Sequence, residues 1–187
     1  SDYGELVICD GVNEPFLFQM TGTDSDVTNR TFFAKEITVS GTTGPAVGVI
    51  HDKHLVVAGA STAKNTIFYS GTNDIDDFTS TGSGSIVIED AVVGLASFRS
   101  DLIIFCKNSI HKLVNINDSS NVAVVPITTN VGCVSGGSIQ EIGGDLLFLS
   151  PDGVRTVAGT ARIGDVELGS VSRPVSYTHL TLPTKLA

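Results

Sequence analysis

The chain has few side chains whose type and spacing could do chemistry, and the densest group of them is acidic. Asp74, Asp76 and Asp77 lie close together in the sequence, and carboxylate oxygens are the ligands that hard cations such as Ca²⁺ prefer. An EF-hand loop beginning at Asp74 needs Gly at its sixth position and Glu at its twelfth, where this chain has Thr79 and Ser85. We therefore interpret the segment as a solvated turn whose carboxylates accept local hydrogen bonds.

Histidine is the second residue type that could do chemistry. His51 and His54 flank two polar residues just before an apolar run, and such a pair could bind a metal or transfer protons. No third ligand lies nearby in the sequence, so we interpret this segment as a polar turn that leads into a strand. His111 lies beside a lysine on a predicted returning strand, and we expect it on the outer face of its sheet, outside any site.

Nucleophiles and phosphate-binding loops give no stronger signal. Residues 82–86 are rich in glycine but lack the lysine of a P-loop, and residues 134–138 hold two serines outside the Gly-x-Ser-x-Gly frame. Cys9, Cys106 and Cys133 lie in or beside apolar runs at wide spacings, which predicts buried free thiols in a reducing compartment. The sequence therefore predicts no catalytic, cofactor-binding or metal site, and a protein that is not an enzyme.

The elements that would position any site belong to a repeat. Residues 101–114 and 145–158 share one pattern: four apolar residues, a turn, and a shorter apolar strand. The leading leucines, Leu102 and Leu146, are 146 − 102 = 44 residues apart, which is in the range of WD40 and kelch repeats. Each such repeat is one small antiparallel sheet that must stack on its neighbours to bury its faces.

Two looser copies of the repeat precede these. Their leading leucines are Leu6 and Leu55, so the spacings are 55 − 6 = 49 and 102 − 55 = 47 residues. A strand covered on one face alternates apolar and polar residues, whereas a strand covered on both faces reads as a continuous apolar run. The runs at residues 102–105 and 146–149 therefore predict strands covered on both faces.

These patterns predict an all-β fold, a partial β-propeller of about four blades of antiparallel strands, over residues 1–173. The alternative is a β-sandwich, which also has short strands and glycine-rich turns. Residues 174–187 differ from the rest and include VSYTHLTLPT, which resembles the translation of a transposase adapter used for sequencing libraries. We expect this segment to be a non-native read-through tail and residues 1–173 to be a fragment of a longer chain.

The charge balance narrows the choice of partners. The net charge is −9 and the isoelectric point is about 4.7. This negative charge disfavours binding to the phosphate backbone of nucleic acids, and we expect no sequence-specific binding to them either. A surface that repels phosphate could still form a wall along which DNA slides. No apolar run reaches the ~20 residues that span a bilayer, so we expect no membrane partner.

Three stretches, residues 63–79, 94–113 and 130–157, carry a more specific signal. They resemble the propeller part of tailed-phage virion proteins at the head–tail junction or tail, of the packaged-DNA stabilisation and tail-nozzle type. The matching residues of the first stretch are Asn65, Ser70, Asp74, Asp77 and Phe78. Those of the second are Leu95, Phe98, Leu102, Phe105, Ser109 and Ile110. Those of the third are Gly132, Cys133, Ser138, Ile139, Gly144, Phe148, Leu149, Ser150, Gly153 and Val154.

The resemblance implies a virion structural protein that helps to retain or conduct packaged DNA. Its implied partners are portal, adaptor or tail proteins, and its full-length form is expected to be a ring homo-oligomer assembled in the host cytoplasm. We expect the loops at residues 72–85 and 115–121 to be contact surfaces. Two alternatives stay open: a non-phage propeller module that binds protein or glycan, and a propeller glycosidase or lyase with carboxylates converging on its inner strands.

Overall fold

The computed structural model describes residues 5–21 and 31–158. The predicted read-through tail at residues 174–187, and the predicted domain end at residue 173, lie outside these described residues.

The described residues form four antiparallel sheets, and none of these sheets closes on itself. Sheet 1 contains β1 (Glu5–Ile8), β2 (Phe16–Thr21) and β3 (Thr31–Glu36). Sheet 2 contains β4 (Val47–His51), β5 (His54–Ala60), β6 (Ala63–Tyr69) and β7 (Gly84–Val87). Sheet 3 contains β8 (Val92–Phe98), β9 (Asp101–Cys106), β10 (Ile110–Val114) and β11 (Ala123–Thr128). Sheet 4 contains β12 (Gln140–Ile142), β13 (Asp145–Ser150) and β14 (Gly153–Thr156). The prediction of an all-β fold of antiparallel strands is confirmed.

Each sheet is a meander in which strands adjacent in sequence pair with each other. Two-residue turns join the first and second strands of sheets 2 and 4. Their residues, Asp52 with Lys53 and Gly143 with Gly144, all have positive φ, as a type I′ hairpin turn requires. The predicted polar turn between His51 and His54 is therefore a tight hairpin.

The continuous apolar run of β5 is covered on both faces. Leu55 and Val57 pack in the core between sheets 1 and 2, whereas Val56 and Ala58 pack in the core between sheets 2 and 3. Successive strand residues point to opposite faces, so a strand between two sheets needs apolar residues at every position.

The strand β9 repeats this arrangement one sheet later. Leu102 and Ile104 pack against sheet 2, and Ile103 and Phe105 pack against sheet 4. The prediction that residues 102–105 form a strand covered on both faces is confirmed.

The run at residues 146–149 differs from its prediction. Leu146 and Phe148 are buried against sheet 3, but Leu149 is 38% exposed. The expectation of two covered faces is wrong for this strand, because the described residues place a sheet on one side of β13 only.

The four sheets stack in the order in which they occur along the chain, with one apolar core between each consecutive pair. The buried residues between sheets 1 and 2 are Leu17, Ile37, Val39, Leu55, Val57, Phe68 and Phe78. Those between sheets 2 and 3 include Val56, Ala58, Ile67, Tyr69, Leu102, Ile104 and Leu113. Those between sheets 3 and 4 include Ile103, Phe105, Ile110, Cys133, Leu146 and Phe148.

The four leading leucines occupy equivalent positions. Each of Leu6, Leu55, Leu102 and Leu146 lies on the first strand of a hairpin, in β1–β2, β5–β6, β9–β10 and β13–β14 respectively. In β1, β5 and β9 the residue that follows the leucine packs toward the next sheet. The copies that begin at Leu6 and Leu55 are thus structural repeats of the later two, and the loops between them account for the change in spacing.

No helix within the described part of the chain is long and apolar enough to cross a membrane.

Candidate functional site

The acidic segment lies in the loop between β6 and β7 and is organised by local hydrogen bonds. One oxygen of Asp77 accepts the backbone N–H of Thr79 at 2.7 Å and that of Ser80 at 3.1 Å. The hydrogen bond from the Thr79 hydroxyl, followed by those from the backbone, lowers the pKa of Asp77 below its ordinary value. Asp76 instead forms an ion pair with Lys35. The interpretation of this segment as a turn with local side-chain hydrogen bonds is confirmed.

His54 lies at the centre of a polar network between sheets 2 and 3, and its side chain is fully buried. Its Nδ1 is 2.6 Å from the carbonyl oxygen of Ser70, which can only accept, so Nδ1 carries a hydrogen. Its Nε2 lies 3.2 Å from the hydroxyl of Thr72. Both ring nitrogens are occupied, so His54 acts as a structural bridge and has no nitrogen free for acid–base chemistry.

The same network crosses from sheet 2 to the loop that follows β10. Asn117 Oδ1 lies 3.0 Å from Nε2 of His54, and Asn117 Nδ2 donates to the carboxylate of Asp52. The Thr72 hydroxyl also donates to Asn117 Oδ1 at 3.4 Å. The loops at residues 72–83 and 115–122 therefore meet over His54 and tie the two sheets together.

His51 forms a second polar bridge between the same sheets. Its Nδ1 lies 2.8 Å from Oγ of Ser97 on β8. Burial lowers the pKa of His51, while the charges of Asp52 and Asp101 act in the opposite direction without cancelling this effect. His51 and His54 are opposite each other in the hairpin, but they contact different partners and do not act as a pair.

Asp90, Ser109 and His111 have the residue types of a catalytic triad in a different order. Ser109 Oγ donates to Asp90 at 3.1 Å, and His111 Nε2 lies 2.9 Å from the same Oγ. In a Ser-His-Asp triad the histidine lies between the other two and takes the hydrogen of the serine. Here Ser109 lies in the middle and gives its only hydrogen to Asp90, so His111 must donate to Ser109 and is no base toward it.

The carboxylate of Asp90 joins the segment that connects sheets 2 and 3 to the turn between β9 and β10. It accepts the backbone N–H of Asn108 at 2.6 Å and that of Ala91 at 2.8 Å. Burial raises the pKa of Asp90, but these hydrogen bonds outweigh burial and leave the pKa below its ordinary value. His111 is on the predicted returning strand, β10, yet it is half-buried beside Ser109.

The two serines of residues 134–138 hold the segment that leads into sheet 4. Ser138 Oγ donates to the carbonyl of Ser135 at 2.6 Å and accepts the backbone N–H of Leu149 at 3.1 Å.

Upstream, the backbone N–H of Cys133 donates to the carbonyl of Cys106 at 2.9 Å. Gly132 lies against the backbone of Lys107, where a Cβ atom would overlap the carbonyl group.

The three cysteines are free thiols. Cys106 and Cys133 are buried and Cys9 is half-buried. Burial raises the pKa of Cys9 to about 11 and that of Cys106 to about 12. Because the thiolate is the reactive form, neither of these two cysteines is suited to nucleophilic chemistry at neutral pH. The prediction of buried free thiols is confirmed for Cys106 and Cys133.

A cleft of about 590 Å³ opens between sheets 3 and 4. Its charged side chains already have partners: Arg99 donates to the carbonyl of Gly144 at 2.9 Å, and Lys112 pairs with Asp101 at 3.7 Å. Asp145 accepts the backbone N–H groups of Leu146 and Ala158. Each of these four charged side chains in the cleft therefore already has a contact within the chain.

Arg155 is the one buried charge that the interface between sheets 3 and 4 does not fully pair within the described residues. It forms an ion pair with Asp152, but its Nε and Nη1 atoms, and Oγ of Ser150, are buried without a hydrogen-bond partner there. Elsewhere in residues 5–21 and 31–158, no three His, Cys, Asp or Glu side chains group closely enough to hold a metal ion.

Sequence reasoning missed the residues that form polar bridges between sheets. The main ones are His54, Asn117 and Asp90. Asn117 and His54 are 63 positions apart, and a single sequence gives no signal that pairs them. The one available signal was weak: His54 directly precedes an apolar run, where a polar residue must be buried with a partner.

No protein-family model and no curated protein matches this sequence.

Proposed function

We propose that this chain is a structural β-propeller component of the head–tail junction or tail of a tailed bacteriophage. The observation that carries the proposal is the stacking of four meander sheets in chain order, with Leu55–Ala58 and Leu102–Phe105 covered on both faces.

The stacking favours propeller blades over a β-sandwich. A sandwich has two sheets and one core between them, whereas residues 5–21 and 31–158 form four sheets with three cores. The first strands β4 and β8 pack against each other, while the last strand of sheet 2 exposes Val87 at 70%. Packed first strands and exposed last strands are what blades arranged around an axis have.

The phage assignment rests on the resemblance, and the residues that carry this resemblance have structural roles in the sheets. Ser70 accepts the backbone N–H of Leu55 at 2.9 Å, Gly132 permits the close approach to Lys107, and Ser138 holds Leu149. Ser70 and Ser138 thus hold residues within one blade, and Gly132 lies where one blade connects to the next. A stiff assembly of blades suits a part that must resist the pressure of packaged DNA and contact portal, adaptor or tail proteins.

The surface proposed for those contacts is the pair of loops at residues 72–83 and 115–122. Thr72 and Asn117 bring these loops together, and Asp77 and Asp118 order them by accepting backbone N–H groups. Ordered loops at one end of neighbouring blades form a surface that a partner protein could contact, as loops on a rigid scaffold do in other proteins.

The glycosidase or lyase alternative has less support. Such an enzyme needs a pair of carboxylates on the inner strands, but among the described first strands β4, β8 and β12 only Glu141 supplies one. The same observation removes support for an acidic inner wall along which DNA slides, so the role in retaining DNA rests on the resemblance.

The genomic neighbourhood of the gene tests this proposal. We expect long-read sequencing to find the reading frame among portal, terminase and tail genes. A cellular neighbourhood would contradict the virion role and favour a propeller module that binds protein or glycan.

A further inference from the structure

The outward face of sheet 1, which points away from sheet 2, is apolar, and no other described strand covers it. Leu6 pairs with Phe18 and Ile8 pairs with Phe16 across β1 and β2, so these four side chains share one face. Leu6, Ile8 and Phe18 are exposed by 58%, 45% and 43%, and Phe32 on β3 is exposed by 74%. An apolar patch of this kind on a folded protein marks an interaction surface.

The outward face of sheet 4, at the other end of the stack, is apolar as well. Leu147 and Leu149 alternate with the buried Leu146 and Phe148, and so point away from sheet 3. Leu149 is 38% exposed, and Ile142 on β12, which is on the same face, is 59% exposed. The four described sheets therefore have an apolar outward face at each end of their stack, one on sheet 1 and one on sheet 4.

The intrachain interfaces show what each type of face packs against. At the interface of sheets 3 and 4, the rings of Phe105 and Phe148 lie 5.3 Å apart. The equivalent residues one sheet earlier are Ala58 and Ile104, and both belong to the core between sheets 2 and 3. One sheet earlier again they are Cys9 and Val57, and both contribute to the core between sheets 1 and 2.

Equivalent residues share a core at all three interfaces, and this repetition identifies the partner of each outward face. The position of Phe105 corresponds to Leu149 in sheet 4, and the position of Phe148 corresponds to Ile8 in sheet 1. Within each interface, a residue equivalent to Phe105 packs in the same core as a residue equivalent to Phe148. Leu149 could therefore serve as the partner of Ile8, and Ile8 as the partner of Leu149.

We propose that two copies of this chain associate head to tail, with the outward face of sheet 4 of one copy stacked on the outward face of sheet 1 of the next. The contact continues the interface that joins the sheets within one chain, and it brings Leu149 of one copy against Ile8 of the other. Such an interface is heterologous, so copies add in one direction and form a ring or a filament. The inference rests on the repeated interface and does not depend on the proposed virion role.

The test is the mass of the chain in solution, measured by size-exclusion chromatography with light scattering over a wide range of concentrations. We expect the wild-type chain to exceed its monomer mass of 19.5 kDa as its concentration rises. Ile8→Glu and Leu149→Glu should each remain at the monomer mass, because each variant loses one of the two faces. Val87→Glu is the matched control: Val87 is an exposed apolar strand residue outside both faces, so this variant should associate like the wild type.

Mixing the two variants decides the geometry. Ile8→Glu keeps an intact sheet 4 face and Leu149→Glu keeps an intact sheet 1 face, so an equal mixture should form a dimer and stop there. A wild-type chain that stays monomeric throughout would overturn the proposal. So would a Leu149→Glu variant that still self-associates, since this result would show that sheet 1 pairs with sheet 1. Association that persists in both variants would mean that another surface is responsible, and circular dichroism verifies that each variant is folded.

Discussion

At the scale of single residues, the polar side chains buried between sheets decide how the apolar stack is held in register. His54 and Asn117 connect sheet 2 to the loop after β10. Asp90 accepts a hydrogen bond from the turn between β9 and β10. Residue type alone left metal or acid–base chemistry possible for His54, although the sequence favoured a polar turn. Its contacts show a structural bridge, because both of its ring nitrogens form hydrogen bonds and its side chain is fully buried.

The first prediction concerns this bridge. His54→Ala should lower the free energy of unfolding by about 1–3 kcal/mol, since it leaves the buried carbonyl of Ser70 without its hydrogen bond. Urea denaturation measures the change. Ser119→Ala is a control at an exposed position of the loop that contains Asn117, and we expect a change within about 0.5 kcal/mol. Equal effects of the two substitutions would show that His54 is not a bridge.

The second prediction concerns pH and His51. Burial holds the pKa of His51 below its ordinary value, so the folded chain keeps this ring neutral where the unfolded chain protonates it, below about pH 6.5. The unfolded state then binds more protons, and stability falls as the pH falls through this range. His111, whose pKa burial also lowers, contributes in the same direction.

His51→Gln removes the titrating ring but keeps a hydrogen-bonding group near Ser97. In urea titrations at neutral and mildly acidic pH, this variant should lose less stability on acidification than the wild type. An unchanged loss would mean that protonation of His51 does not contribute.

At the scale of strands and loops, the apolar runs allowed β5 and β9 to be predicted in position, and they allowed the environment of β9 to be predicted as well. The prediction went wrong at β13, where the same kind of run, residues 146–149, is covered on one face. An apolar run shows that both faces of a strand are suited to burial. It does not show whether a sheet lies against each face.

The third prediction tests the contact between β9 and β13. Phe105→Ala and Phe148→Ala should each cost about 3–5 kcal/mol of stability, because each removes a fully buried ring from the core. In the double variant the loss should be smaller than the sum, since the two rings contact each other. Urea denaturation of the three variants gives these values, and a near-zero change for either single variant would contradict its burial.

The fourth prediction concerns the segment that leads from sheet 3 to sheet 4. Gly132→Ala places a methyl group against the backbone of Lys107, so we expect a loss of about 1–3 kcal/mol or more. Gly137→Ala is the matched control, because its new methyl group would have its nearest neighbour, Ser135 Oγ, at 3.8 Å. Thermal unfolding of both variants is the measurement, and equal melting temperatures would show that the approach at Gly132 is not tight.

At the scale of the whole molecule, the repeat of apolar strand and turn was enough to predict an all-β chain of about four small sheets. It was enough because each unit has a short-range pattern that recurs at Leu6, Leu55, Leu102 and Leu146. The polar bridges could not be predicted, because Asp52, Thr72 and Asn117 come together only after the sheets have stacked. The two free outward faces were equally invisible in the sequence, since Leu149 and Phe148 have similar hydrophobic character but opposite surroundings.

The central claim, that this stack of sheets is a part of a phage particle, has a direct test in mass spectrometry of purified particles. Nuclease-treated, density-purified virions from the sample that contains the gene should yield peptides from residues 31–158 together with portal and capsid proteins. The same peptides found only in the cellular fraction, and none in the particles, would contradict the account.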